Sequence, residues 1–280
     1  MRILSIETSC DETSAAVVEK IDETNVRVLS NVTATSLALH ATTGGIIPEN
    51  AAREQIKFII PVIIRALCES RSMNHESWFD AQKIIADDID AIAVTSGPGL
   101  IGSLLVGVET ARTLALALDK PIVPVNHLLA HLFANFIQPD LILNSIQDLE
   151  KEIPDRSRAR NDKIRFPFIG LIVSGGHTDL LLFTSLTEYK WLGGTLDDAA
   201  GEALDKIGRL LNLSYPAGPE IEERAKRIKN TKVKFVSPMI NSQNFDFSFS
   251  GLKSEASRFI QSHRHSEPRL DRGNLVSESQ

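Results

Sequence analysis

The stretch from residue 93 to residue 131 constrains this chain more than any other. It begins as an apolar strand, breaks at Ser96-Gly97-Pro98-Gly99, and enters a helical pattern rich in Gly, Leu and Val. It returns as a short strand over residues 121–125 and ends on two histidines, His127 and His131. Glycine at the break allows backbone angles that other residues avoid. Four apart, the two imidazoles lie one turn apart on the same face of a helix, where one metal ion can touch both. Loop, buried helix, strand and histidine pair read together as a site built into an α/β scaffold.

The rest of the chain supplies the frame. Residues 2–6 and 15–19 read as a strand and its return, joined by the polar tip Glu7-Thr8-Ser9-Cys10-Asp11-Glu12-Thr13-Ser14. Such a tip either bonds a phosphate or cation, or is a turn whose Ser, Thr and Asp side chains satisfy themselves. Residues 27–32 fit a third strand. A Gly/Pro loop, His40–Glu49, then opens a long helical pattern through about Ser70. Ile56, Ile59, Ile60, Ile63, Ile64 and Leu67 recur at three and four, the mark of a helix with a buried face. Residues 78–85 predict a short helix and 90–95 a strand.

A polar, charged segment separates this half from the next. The reading is a first lobe over 1–137, a connector over 138–163 and a second lobe over 164–280. The second half opens as the first does, with a strand (166–173), a polar tip Ser174-Gly175-Gly176-His177-Thr178-Asp179 and a return strand (180–184). Helical patterns follow over 201–211 and after the alternating polar and aromatic stretch 246–253. Arg224, Lys226, Arg227, Lys229, Lys232 and Lys234 crowd together, either as a phosphate-contacting patch or as a solvated helix face.

Composition excludes several classes. The net charge of −6 means that any nucleic-acid contact uses a local patch or a partner's surface. Two cysteines, Cys10 and Cys68, are too few for a disulfide framework and fit a reducing compartment. Met1-Arg2 runs straight into a strand with no signal peptide, and the densest apolar run, 58–67, contains Pro61 and Arg65. The expectation is a cytoplasmic α/β protein without membrane contact.

Eight blocks occur in one order: IETSCDETSAAVV, HATTGGIIPENAAR, VTSGPGLIGSLLVG, VNHLLAH, LIVSGGHTDL, DDAAGEALDKIGRLL, YPAGP and FDFSFSGLKS. Over about residues 1–258 the chain resembles the TsaD-like family of tRNA N6-adenosine threonylcarbamoyltransferases. The resemblance implies the two-lobed actin/Hsp70/sugar-kinase fold. It implies transfer of a threonylcarbamoyl group from threonylcarbamoyladenylate to N6 of adenosine 37 in tRNAs that read codons starting with A, with release of AMP. It implies one divalent metal, Fe2+ before Zn2+ or Mg2+, on His127 and His131. Substrate contacts carried over fall on Ile172, Val173, Ser174, Gly175, Gly176, Asp205, Gly218 and Glu222. Partners implied are tRNA, a catalytically silent TsaB-like paralogue and a TsaE-like ATPase. Asp11 and Glu12 are our candidates for deprotonating or orienting the attacking amine.

The chain departs from the family pattern in places. Leu129 and Ala130 replace the usual Glu and Gly before the second histidine, and Gln55 stands where the family often has histidine. The Gly-Gly-Val-Ala-Ala-Asn block and the aspartate block with the third metal ligand have no counterpart, and Asp271 sits in an unmatched tail. The sequence therefore reads as a C-terminally shortened member with an incomplete second lobe. A non-catalytic, partner-binding paralogue is the alternative. A metalloprotease is disfavoured because Leu128 occupies the position of the zincin glutamate. A sugar kinase of the same fold would have no use for the histidine pair.

Overall fold

The computed structural model describes residues 1–22, 26–36, 46–73, 76–137, 165–228 and 233–264. The expected connector, most of the loop that opens at His40, and Asp271 lie outside them. Two compact units divide the chain, Met1–Phe168 and Ile169–Gln280.

Unit one is a mixed sheet in the order β3-β2-β1-β4-β5, formed by β1 (Arg2–Glu7), β2 (Glu12–Lys20), β3 (Val26–Thr35), β4 (Ala91–Gly97) and β5 (Ile122–Asn126). β1, β2 and β3 pair antiparallel, whereas β4 pairs parallel to both β1 and β5. Alternation places Leu4 and Ile6 of β1, and Ala15 and Val17 of β2, in the core. Residues Ala91 to Thr95 of β4 are all buried, as a parallel strand covered on both faces requires. The return strand starts at Glu12, three residues earlier than the sequence predicts. Glu12 therefore belongs to β2, opposite Thr35, and the tip shrinks to Thr8–Asp11.

Three helices complete this core: α1 (Pro48–Ser70), α2 (Trp78–Asp88) and α3 (Ile101–Ala117). α1 buries Ile59, Val62, Ile63, Ala66 and Leu67 against the sheet. Ile56 and Ile60 sit on the flank of that stripe and are exposed, contrary to the expectation from their spacing. α3 likewise buries only one face. Ser103, Leu104, Gly107, Ala111, Leu114 and Ala115 point inward, while Ile101, Leu105 and Leu116 are exposed. α4 (His127–Ala134) follows β5 directly, and the Asn126 side chain caps it by accepting from Leu128 N–H and Leu129 N–H.

Unit two holds a three-stranded sheet, β6 (Phe168–Val173), β7 (Thr178–Phe183) and β8 (Tyr189–Gly194), with α5 (Ala200–Leu210), α6 (Gly218–Lys226) and α7 (Ser250–Arg264). The sequence reading passed over β8, whose first three residues are exposed and whose last two are glycines. Two of the sequence blocks meet beyond β8. Phe247 exchanges backbone hydrogen bonds with Gly194 and Leu196. Asp197 accepts from the Ser248 and Ser250 hydroxyls and from Phe249 N–H and Ser250 N–H, which fastens the start of α7. Asp198 binds Lys206 and Lys253.

Candidate functional site

In unit one the site is assembled where the β1 tip meets α3 and α4. Five successive carbonyls, from Thr8 of the tip to Glu12 at the start of β2, are each taken by a donor from another element. Thr8, Cys10 and Glu12 carbonyls accept from Nε2 of the buried Gln55 on α1, at 3.3, 3.1 and 2.9 Å. The Ser9 carbonyl accepts from Leu100 N–H, the Cys10 carbonyl also from Ser103 Oγ, and the Asp11 carbonyl from Ser36 Oγ. Thr8 Oγ1 in turn donates to the Ser103 carbonyl. The polar tip is thus a fixed piece of backbone that leaves the Asp11 and Glu12 side chains outside the core.

Two kinds of glycine permit this approach. Gly97 has φ +150°, an angle that side-chain-bearing residues rarely adopt. At Gly99 and Gly107 the reason is contact: a Cβ would lie 2.5 Å from the Ser9 carbonyl oxygen and 2.3 Å from Thr8 Oγ1.

The histidines come together as their spacing predicts. Nε2 of His127 lies 3.2 Å from Nε2 of His131, with His127 half-buried and His131 exposed. Two nitrogens bound to one metal at about 2.0–2.1 Å in tetrahedral or octahedral geometry sit about 2.9–3.4 Å apart. The pair therefore fits one divalent cation. Among the described residues no third His, Cys, Asp or Glu joins them in a metal-holding group.

Behind His127 stands a residue that the sequence reading left unassigned, Glu7. Its Oε2 is 3.2 Å from His127 Nδ1, and it also accepts from the Thr95 hydroxyl and the Ser9 N–H. Burial alone would raise the Glu7 carboxyl, but the hydrogen bonds from His127, Ser9 and Thr95 outweigh it and bring it down to about 2. Glu12 is shifted the other way, raised by partial burial and then by the charges of Asp11 and Glu7. Burial and the neighbouring Asp11 push the Cys10 thiol up to about 12.

In unit two the Ser174-Gly175-Gly176 turn is closed by Ser174 Oγ, which accepts from Gly176 N–H and His177 N–H. A Cβ on Gly175 or Gly176 would meet nothing within 4 Å, so packing within the chain does not demand glycine there. The first turn of α5 docks on this loop, with Gly201 N–H donating to the Ser174 carbonyl and Ala200 N–H to Thr178 Oγ1. Gly201 is needed for that contact, since a Cβ would lie 2.8 Å from the Ser174 oxygen. Ile172 is buried and can present only its backbone, whereas Val173 is exposed. Asp205 on α5 accepts from Ala217 N–H at 2.7 Å, which brings it beside Gly218, the first residue of α6. Glu222 pairs with Lys226 on the exposed face of α6, and Arg224 and Arg227 pair likewise with Glu220 and Glu223. Arg224 and Lys226 thus lie on a solvated helix face with Arg227 at its end, and Lys234 is exposed on an irregular segment.

The family model described as TsaD, tRNA N6-adenosine threonylcarbamoyltransferase, matches residues 27–145 and 155–271. The chain belongs to that family. A protein of that name from Persephonella marina is 44% identical over 264 residues, covering 93% of this chain and 65% of its own length. One from Protochlamydia amoebophila is 42% identical over 253 residues, covering 90% of this chain and 63% of its own. The chain thus spans somewhat under two thirds of the length of these curated relatives. Among solved structures, YeaZ from Pseudomonas aeruginosa aligns with TM-score 0.34 and 14% identity, covering 68% of this chain and 65% of that one.

Proposed function

We propose that the chain carries out threonylcarbamoyl transfer from threonylcarbamoyladenylate to N6 of adenosine 37 in tRNAs reading codons that start with A. The observation that carries this reading is the facing pair of imidazole nitrogens, 3.2 Å apart, in a member of the TsaD family. The strand order β3-β2-β1-β4-β5, an antiparallel hairpin continued by parallel strands, supports an actin/Hsp70/sugar-kinase-like fold for unit one. A cytoplasmic location accords with this reading; among the described residues no helix is long and apolar enough to cross a membrane.

His127 and His131 would hold a divalent cation, Fe2+ in this reading. When bound there it supplies a Lewis acid for the negative charge that grows on the carbamoyl oxygen. The chain's own residues do the remaining work. The open backbone at Gly175 and Gly176, beside the N-terminus of α5, suits the adenylate phosphate, which would take the Gly176 N–H over from Ser174 Oγ. One Asp205 oxygen is engaged by Ala217 N–H and orients the carboxylate to accept from ribose hydroxyls. Glu12, raised by partial burial and then by its acidic neighbours, is better suited than an ordinary carboxylate to take a proton from the adenine amine, with Asp11 beside it. Exposed Ile56, Ile60, Ile101 and Leu105 on α1 and α3 suit a TsaB-like paralogue, with a TsaE-like ATPase completing the assembly.

The test is single-turnover transfer to tRNA with added adenylate, partners and Fe2+, read as modified nucleoside by mass spectrometry. His127→Ala and His131→Ala should each lower the rate at least about 100-fold. Asp11→Ala should slow transfer while adenylate binding is kept. Unchanged transfer in both histidine variants would overturn the reading, and absence of transfer by the wild-type chain, with partner binding intact, would favour the scaffold alternative.

A further inference from the structure

Glu7 ends β1 and has no part in the roles assigned above. Its carboxylate gathers donors from three places: the Ser9 backbone N–H, the Thr95 hydroxyl at the end of β4, and Nδ1 of His127. An ionised carboxylate can only accept hydrogen bonds. Nδ1 must therefore carry the hydrogen, and Ser9 Oγ, 3.1 Å from the same nitrogen, takes the second branch of that bond. A neutral imidazole has a single N–H, so Nε2 keeps its lone pair, on the side that faces His131.

We propose that Glu7 is the positioning residue of this centre: it locks His127 in the Nδ1–H tautomer and presents Nε2, unprotonated, to a divalent cation shared with His131. The proposal rests on the reading of the histidine pair as a metal site. The support is itself supported, because Thr95 and the Ser9 amide fix the carboxylate while Leu100 N–H holds the Ser9 carbonyl. Histidine ligands commonly donate their second nitrogen to such a carboxylate, and losing it weakens metal binding about 10–100-fold.

Two measurements on the 280-residue chain test this. Nitrogen-15 imidazole spectra of the metal-free protein, taken where imidazole is neutral, should show His127 as the Nδ1–H tautomer. In Glu7→Ala that preference should be lost. Calorimetric titration with Zn2+ alone should give binding to wild type and about 10–100-fold weaker binding to Glu7→Ala. Glu7→Gln, whose amide oxygen still accepts from Nδ1–H, should recover part of it. An Nε2–H tautomer in wild type, or unchanged tautomer and affinity in Glu7→Ala, overturns the proposal. If wild type takes up no Zn2+, the metal reading fails and with it the cation half of the proposal, while the wild-type spectrum still decides the orienting half. That spectrum also decides the matter if Glu7→Ala does not fold.

Discussion

Gln55 is 1% exposed, and its amide nitrogen faces three backbone carbonyls with only two hydrogens to give. Among the described residues, its Oε1 has no hydrogen-bond partner. Gln55→Leu keeps roughly the shape and removes the Gln55 donor from the Thr8 and Glu12 carbonyls, while the Cys10 carbonyl keeps Ser103 Oγ, so it should cost about 2–3 kcal/mol of stability in urea unfolding. Cys10 makes a second prediction. With the thiol near 12, almost none is thiolate at pH 8, and alkylation by iodoacetamide should run about 1,000-fold slower than for a free cysteine. The sign for stability follows from the same shift. Above about pH 8.5 the unfolded chain releases the thiol proton and the folded chain does not, so the contribution of Cys10 to stability declines from there to about pH 12. The histidine pair could be read from spacing alone. Glu7 could not, because its bond to His127 spans 120 positions and depends on β1 and β4 lying side by side. A lone acid at a strand end carries no local signal of that partner.

At the scale of elements, α3 was legible as a helix, but the reason for its Gly107 was not. Backbone freedom, expected at the Ser96–Gly99 break before the helix, holds at Gly97; at Gly107 the requirement is room for Thr8. Thr8 cannot move aside cheaply, being buried, β-branched and bonded to the Ser103 carbonyl. Gly107→Ala should therefore destabilise by about 1–3 kcal/mol, and less in a Thr8→Ala background, a coupling that a double-mutant cycle would measure. The blocks DDAAGEALDKIGRLL and FDFSFSGLKS were equally visible, yet only the fold shows that they clasp each other. Although partial burial opposes it, the hydroxyls of Ser248 and Ser250 and the amides of Phe249 and Ser250 hold the Asp197 carboxyl well below its usual range. An anion so placed caps the helix and complements its dipole. Asp197→Ala should cost about 1 kcal/mol, with hydrogen exchange speeding up first at the Phe249 and Ser250 amides. α1 shows the limit of periodicity: six recurring apolar residues define the helix, but their spacing cannot tell the core stripe from its flank.

For the molecule as a whole, a net charge of −6 gives no broad attraction to a polyanion, so the proposed tRNA substrate would have to be held by local contacts or by a partner's surface. The exposed apolar residues on α1 and α3 turn this into a prediction about assembly. Leu105→Glu should weaken binding of a TsaB-like paralogue by about tenfold or more while leaving the urea midpoint unchanged, since Leu105 is outside the core. A shifted midpoint would instead assign Leu105 to folding. The five fastened carbonyls of the β1 tip bear on the same question from inside unit one. Loops that recognise a guest commonly surrender conformational freedom when it arrives, and that loss is subtracted from affinity. Here the freedom of the backbone from Thr8 to Glu12 has been surrendered in folding, to Gln55, Leu100, Ser103 and Ser36. A cation reaching His127 should therefore bind with little entropic cost from this loop, and the selectivity of the centre should lie in its shape before any ligand is present.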